Sequence, residues 1–143
     1  DFSRLLGTLA DTILSKSAIK VALHADSGMS LLPNVQLVFY RVAQEALNNV
    51  MKHSSATQLN IYYTNDTEQA VLTIRDNGNG FDPAQVESGH FGLKIMRERA
   101  ESVGAVLDVT TNQDTGTQIR LSWEKTELSA SELISSVSNR SAS

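Results

Sequence analysis

The 143-residue chain contains no cysteine. That absence excludes disulfide bridges, thiolate metal sites and cysteine nucleophiles together. Nor is there an excess of positive charge: 12 Lys and Arg against 16 Asp and Glu leave a formal charge of −4. No run of basic residues is dense enough to follow the phosphates of a duplex, so no nucleic-acid partner is expected. A polyphosphate held by a few local donors is compatible with this balance. The chain also lacks any stretch of the roughly 20 apolar residues that cross a bilayer, and no basic-then-apolar leader opens it. A cytoplasmic setting is the expectation. Internal repeats are absent, and the only biased segment is the Ser-rich end. What is present, 41% hydrophobic residues in this length, suffices for one domain with one core. The chain opens within a helical pattern, "DFSRLLGTLADTIL", as expected of a piece of a longer protein.

Along the chain the hydrophobic period changes several times. Phe2, Leu5, Leu6, Leu9 and Ile13 recur at three- and four-residue spacing, which predicts an amphipathic helix to about Ser17. "IKVALHA" alternates with Ile19, Val21 and Leu23 on one side, as a half-buried strand does. A long helix is predicted from Asn34, as N-cap, to His53. "QLNIYYT" and "AVLTIRD" flank the turn signal "NDTEQ" and read as an antiparallel pair. "FGLKIMRERAESVG" is helical up to Gly104, and "AVLDVTT" and "TQIRLSW" are two strands around "NQDTG". The order helix, strand, helix, two strands, helix, two strands predicts an α+β domain. Helices would form one layer on one face of a mixed, largely antiparallel sheet, a two-layer sandwich. The domain is expected to span 1–125, with 1–18 as its N-terminal helix; 126–143 reads as a frayed, disordered tail.

Three local patterns carry chemistry. On a helical wheel Val35, Phe39, Val42, Ala46 and Val50 form the core face of the long helix, while Glu45, Asn49 and Lys52 form a polar ribbon along its edge, with Arg41 beside it. An amide oxygen suits Mg²⁺ and an ammonium suits phosphate, but the same ribbon also fits an ordinary solvated helix edge. His53 falls on the apolar side and reads as a half-buried histidine. In "AVLTIRD", alternation puts Leu72, Ile74 and Asp76 on one face, so Asp76 continues an apolar surface and needs a partner. That partner is either the backbone of the following turn or a donor on a ligand, such as a purine amine. Asn77-Gly78 resembles a hairpin turn, yet no strand follows it. "GNGFDPAQVESGH" reads instead as a mobile loop of functional length, ending in glycines directly before a helix, where backbone N–H groups and the helix dipole favour an anion. Leu93 and Met96 on that helix fit either a wall against a flat base or plain core.

Taken in order, "EALNNVMKH" on a helix, "DNGNG" after a strand, "GHFGLKIMRERA" opening a helix and "GTQIRLSW" on a strand resemble the ATP-binding catalytic domain of bacterial sensor histidine kinases, the GHKL or Bergerat fold. "YRVAQEALNNVMKHS" with "HFGLKIMRERA" is most similar to the nitrate/nitrite-sensor and DesK-like subfamily, which has a short ATP lid, here 77–91. The resemblance covers about residues 19 to 124. It implies ATP and Mg²⁺ as cofactors, with Glu45 and Asn49 as the catalytic residues, Asn49 as the metal ligand and Glu45 orienting a water or the acceptor group. It places Lys52 and His53 near the phosphates and makes Asp76 the acceptor of the adenine amine. Gly78 and Gly80 would give close approach and hinge freedom, Gly92 and Leu93 would begin the helix beneath the phosphates, and Thr117 would reach the adenine region. The implied partners are the histidine-containing dimerisation domain of the same kinase and a response regulator; the isolated domain would be monomeric and the full kinase homodimeric. No His-Asp acceptor motif occurs near the N-terminus, so the phosphoacceptor is expected outside this chain. Other readings of the same motifs are a serine kinase of the anti-sigma type, a hydrolytic ATPase with Glu45 as general base, and a binding-only regulatory module.

Overall fold

The computed structural model describes residues 1–53, 55–82, 84–85 and 92–125. The expectations for the later part of the lid, including Gly89, His90 and Phe91, and for the 126–143 tail lie outside the described residues. The elements are α1 (Phe2–Lys16), β1 (Lys20–Ala25), α2 (Pro33–His53), β2 (Gln58–Asn65), β3 (Gln69–Asp76), α3 (Leu93–Glu101), β4 (Val106–Asn112) and β5 (Gly116–Glu124). The predicted α+β order is therefore present, element for element.

The five strands form one sheet in the order β1-β2-β3-β5-β4. β1 runs parallel to β2, with α2 as the crossover between them, and the remaining pairs are antiparallel. One face of the sheet is apolar: Leu59 and Ile61 of β2, Leu72 and Ile74 of β3, Ile119 and Leu121 of β5, and Leu107 of β4 are all buried. Alternation places them there, and the register aligns them across strands, Ile61 opposite Ile74, Ile74 opposite Ile119, and Leu121 opposite Leu107. The helices cover this face. α2 supplies Val35, Phe39, Val42, Ala46 and Val50, as its wheel predicts, and α1 packs beside it. Phe2, Phe39 and Tyr63 meet edge to face with centroids 4.8 to 6.4 Å apart, joining α1, α2 and β2 at one point.

Two local predictions are corrected. α2 starts at Pro33, one residue before the predicted N-cap Asn34. Proline has φ preset for the first helical position and lacks the N–H that position leaves unused, and the Gln36 N–H donates to the Leu32 carbonyl at 2.8 Å to begin the ladder. In α1 the buried stripe is Phe2, Leu6, Ala10 and Ile13, whereas Leu5 is 36% exposed and Leu9 only partly buried. The Asp1 carboxylate caps this helix by accepting from the Ser3 N–H at 3.1 Å, which sets its start.

The α1 packing gives a direct test. Leu6→Ala is expected to cost about 2–5 kcal/mol in urea unfolding, and Leu5→Ala less than about 1 kcal/mol. Equal losses would mean that the helix presents a different face.

Candidate functional site

The C-terminal end of β3, the start of β5 and the end of β4 meet at one edge of the core. There Asp76, opposite Leu59 in the ladder, is only 3% exposed. Strand alternation forces it inward behind Leu72 and Ile74. Burial pushes its carboxyl pKa up, and two backbone donors, the Gly78 N–H at 2.8 Å and the Thr117 N–H, offset this only in part. The carboxylate therefore sits in a place that disfavours its charge, with oxygen lone pairs beyond those two bonds for a further donor.

The neighbouring backbone is shaped to allow this burial. Gly116 has φ +102°, and a Cβ there would lie 2.1 Å from the Asp76 carbonyl oxygen and 3.0 Å from its Oδ1. Thr117, 3% exposed, has its hydroxyl 3.1 Å from that of Thr111 on β4, and Thr111 Oγ1 accepts from the Phe81 N–H at 2.7 Å. Gly80, at φ +70°, passes so close to β4 that a Cβ would be 2.5 Å from the Asn112 carbonyl oxygen. The glycines after Asp76 thus act differently. Gly78 contributes an N–H to the carboxylate, while Gly80 lets the chain turn back against the sheet, where Phe81 is buried. Sequence reading named Gly80 but not its partners Thr111 and Asn112, because threonine on an edge strand carries no local signal of such a contact.

The other half of the site lies on α2 and α3. Asn49 is only 4% exposed and Glu45 is half-buried, while Lys52 and His53 are exposed at the end of α2. His53 is therefore not the half-buried histidine its wheel position suggests; it is exposed, as the last residue of α2. α3 begins after Gly92, an N-cap in the left-handed region (φ 67°, ψ 13°) with no side-chain cap. Its first N–H groups are thus not satisfied by a capping side chain, the condition under which a helix start attracts an anion. A Cβ on Gly92 would approach Glu45 Oε1 to 2.8 Å, so the Glu45 carboxylate stands beside the head of α3. Arg41, Glu45, Gly92, Ile95, Met96 and Arg99 line a cleft of about 190 Å³ between the two helices. Leu93 and Met96 are 0% and 1% exposed. Their side chains belong to the core cluster, and Met96 also borders the cleft. Among the described residues no group of three or more His, Cys, Asp or Glu could hold a metal. A metal ligated by the Asn49 amide would therefore need its other ligands from an anionic molecule or water, which is the donor set of a metal bound together with polyphosphate.

The mixed sheet, its one-sided helical layer and the motif order define an ATPase domain of the Bergerat type. Residues 34–127 match the family described as histidine kinase-, DNA gyrase B-, and HSP90-like ATPase, and the chain belongs to that family. It is 31% identical over 108 residues to the sensor protein VraS of Staphylococcus haemolyticus and, equally, to that of Staphylococcus aureus, covering 76% of this chain and 31% of each relative. The chain thus spans about a third of the length of these curated relatives. Among solved structures it is similar to the histidine kinase domain of the Erythrobacter litoralis EL346 blue-light activated histidine kinase, with a TM-score of 0.73, 23% identity, and coverage of 85% of this chain and 59% of that one. It is also similar to the ATP-binding domain of PrrB from Mycobacterium tuberculosis, with a TM-score of 0.68, 19% identity, and coverage of 84% and 90%. These likenesses bear out the α+β fold.

Two predictions follow from the buried carboxyl. Because its folded pKa lies above its unfolded value, Asp76 favours the ligand-free fold below the unfolded value, and that contribution is lost as pH rises through the folded one. Asp76→Asn lacks this term, so its melting temperature should gain on the wild type between pH 4 and pH 7. A difference independent of pH would contradict the desolvation argument. Gly116→Ala should destabilise by more than about 1 kcal/mol, since it combines a positive φ with a backbone clash, whereas Gly7→Ala, where the added Cβ meets nothing, should not destabilise. Urea midpoints of the two variants give the comparison.

Proposed function

We propose that this chain binds MgATP at the sheet end between β3, β5 and α2. In its parent protein it would transfer the γ-phosphate to a histidine of the kinase's own dimerisation domain, the first step of a two-component system that passes the phosphate to a response regulator. The observation that carries this reading is Asp76, a desolvated carboxylate at a strand end, held by two backbone N–H groups and able to accept another donor. An adenine amine would supply such a donor, and Thr117, whose backbone N–H donates to the same carboxylate, would contact the same ring.

The phosphates would then run towards α2 and α3. Asn49 would ligate Mg²⁺ through its amide oxygen; the ion, when bound, neutralises charge on the phosphates. Lys52 and His53, exposed at the end of α2, would meet the phosphates from the solvent side. The amides of Gly92 and Leu93, at the start of α3, would hold them from below. Glu45, beside the head of α3, would orient the incoming acceptor group or a water. Gly78 and Gly80 would let the segment after Asp76 approach and leave the nucleotide. Catalysis on this scheme is chiefly positioning and charge neutralisation, because the attacking nitrogen comes from another domain. The short-lid, DesK-like subfamily and the homodimeric state of the parent kinase belong to the same proposal, resting on the sequence motifs. Among the described residues no helix is long and apolar enough to cross a membrane.

Two variants test the assignment. Asn49→Asp should abolish Mg-dependent ATP binding by calorimetry; wild-type affinity would remove Asn49 from the site. Asp76→Asn should weaken MgATP by about tenfold or more while changing the affinity for a purine triphosphate without the amine by less than about threefold. Equal losses for the two nucleotides would reject the adenine contact.

A further inference from the structure

Asn77 follows the proposed adenine acceptor, and its side chain binds towards β2. Its Oδ1 accepts from both the Thr57 N–H and the Gln58 N–H, each at 2.9 Å, and its Nδ2 donates to the Thr57 hydroxyl at 2.9 Å. Its own N–H donates to the Gln58 carbonyl at 3.2 Å, which extends the β2–β3 ladder by one rung. A single planar amide thus satisfies two backbone donors and one hydroxyl.

The position of these partners matters more than their number. Thr57 lies four residues beyond His53, the last residue of α2, so the clasp grips the segment leaving the helix that carries Asn49 and Lys52. Asp76 is held from the β5 side by Thr117, whereas Asn77 is held from the β2 side by Thr57 and Gln58. The base end and the phosphate end of the proposed site are therefore linked through one residue. Both ends of a nucleotide gain from simultaneous binding only if their separation in the protein matches the ligand; when it does not, the second contact loses its high effective concentration.

We propose that Asn77 is a positioning residue for nucleotide binding, fixing the distance between Asp76 and the phosphate-side residues of α2. This rests on the MgATP reading above. It differs from a purely structural clasp, which would stabilise the sheet end and affect every ligand alike.

The 143-residue chain is titrated with MgATP, with adenosine alone and with magnesium tripolyphosphate alone. Asn77→Ala is expected to weaken MgATP by about tenfold or more while shifting each half-ligand by less than about twofold, because only the bivalent ligand senses the separation. Asn77→Asp keeps an oxygen for both N–H groups and should restore MgATP to within about threefold of wild type. Unchanged MgATP affinity in Asn77→Ala, or an equal loss for adenosine, overturns the proposal. If far-UV circular dichroism shows Asn77→Ala unfolded, Thr57→Val, which removes only the hydroxyl from the clasp, is read in the same way, with an expected MgATP loss of about two- to fivefold and unchanged half-ligands. A wild-type chain that binds adenosine and tripolyphosphate but gains nothing from MgATP overturns the positioning role alone; one that binds none of the three overturns the nucleotide reading with it.

Discussion

Burying a carboxylate at the end of a hydrophobic strand is costly, and much of the architecture near Asp76 serves to make that burial tolerable. Its side chain continues the apolar row of Leu72 and Ile74, so the helical layer that desolvates the core desolvates it too. Two backbone N–H groups offset part of the cost, and both depend on backbone geometry beside it. Thr117 can donate only because β5 begins at Gly116, whose missing Cβ lets the backbone come against the Asp76 carbonyl. Gly78 can donate because the chain turns there, just past the last rung of the ladder at Asn77. The result is an acceptor with capacity left for a further donor. That is a useful property in a ligand site and a liability elsewhere.

The helical layer does more than cover the sheet. α2 is the crossover of the parallel β1–β2 pair, so its C-terminal end is fixed beside the start of β2. The same end carries Asn49 within the buried face and Lys52 outside it, one helix presenting both a desolvated amide and a solvated cation. α3 is short and enters through a left-handed glycine, which brings its first amides beside Glu45. The family relationship accounts for why these features occur together, and the geometry accounts for how each is held.

Particular residues mark how much was legible beforehand. The inward direction of Asp76 followed from a period of two, and the core face of α2 from a period of 3.6, because both depend on backbone repeat alone. The positions that misled lie at element ends. Asn34 resembles an N-cap, but Pro33 is a better first residue. His53 lies on the apolar side of the wheel, yet as the last residue of α2 it is exposed. Leu5 and Leu9 match helical spacing as well as Leu6 and Ala10 do, and the choice between these rows depends on how α1 rotates against α2. Leu93 and Met96, which fit core at their spacing, are buried in it.

Composition, period and motif order determined the class of fold, the inward carboxylate at residue 76 and the family to which the chain belongs, since these are properties of single elements or of their sequence along the chain. Only tertiary structure decided that Gly116 makes room for Asp76, that Gly80 rests on Asn112, that Glu45 stands over Gly92, and that Asn77 clasps the start of β2. Each of these is a contact between segments distant in sequence, brought together by strand register and helix packing, and no local pattern encodes which backbone will arrive beside a given residue.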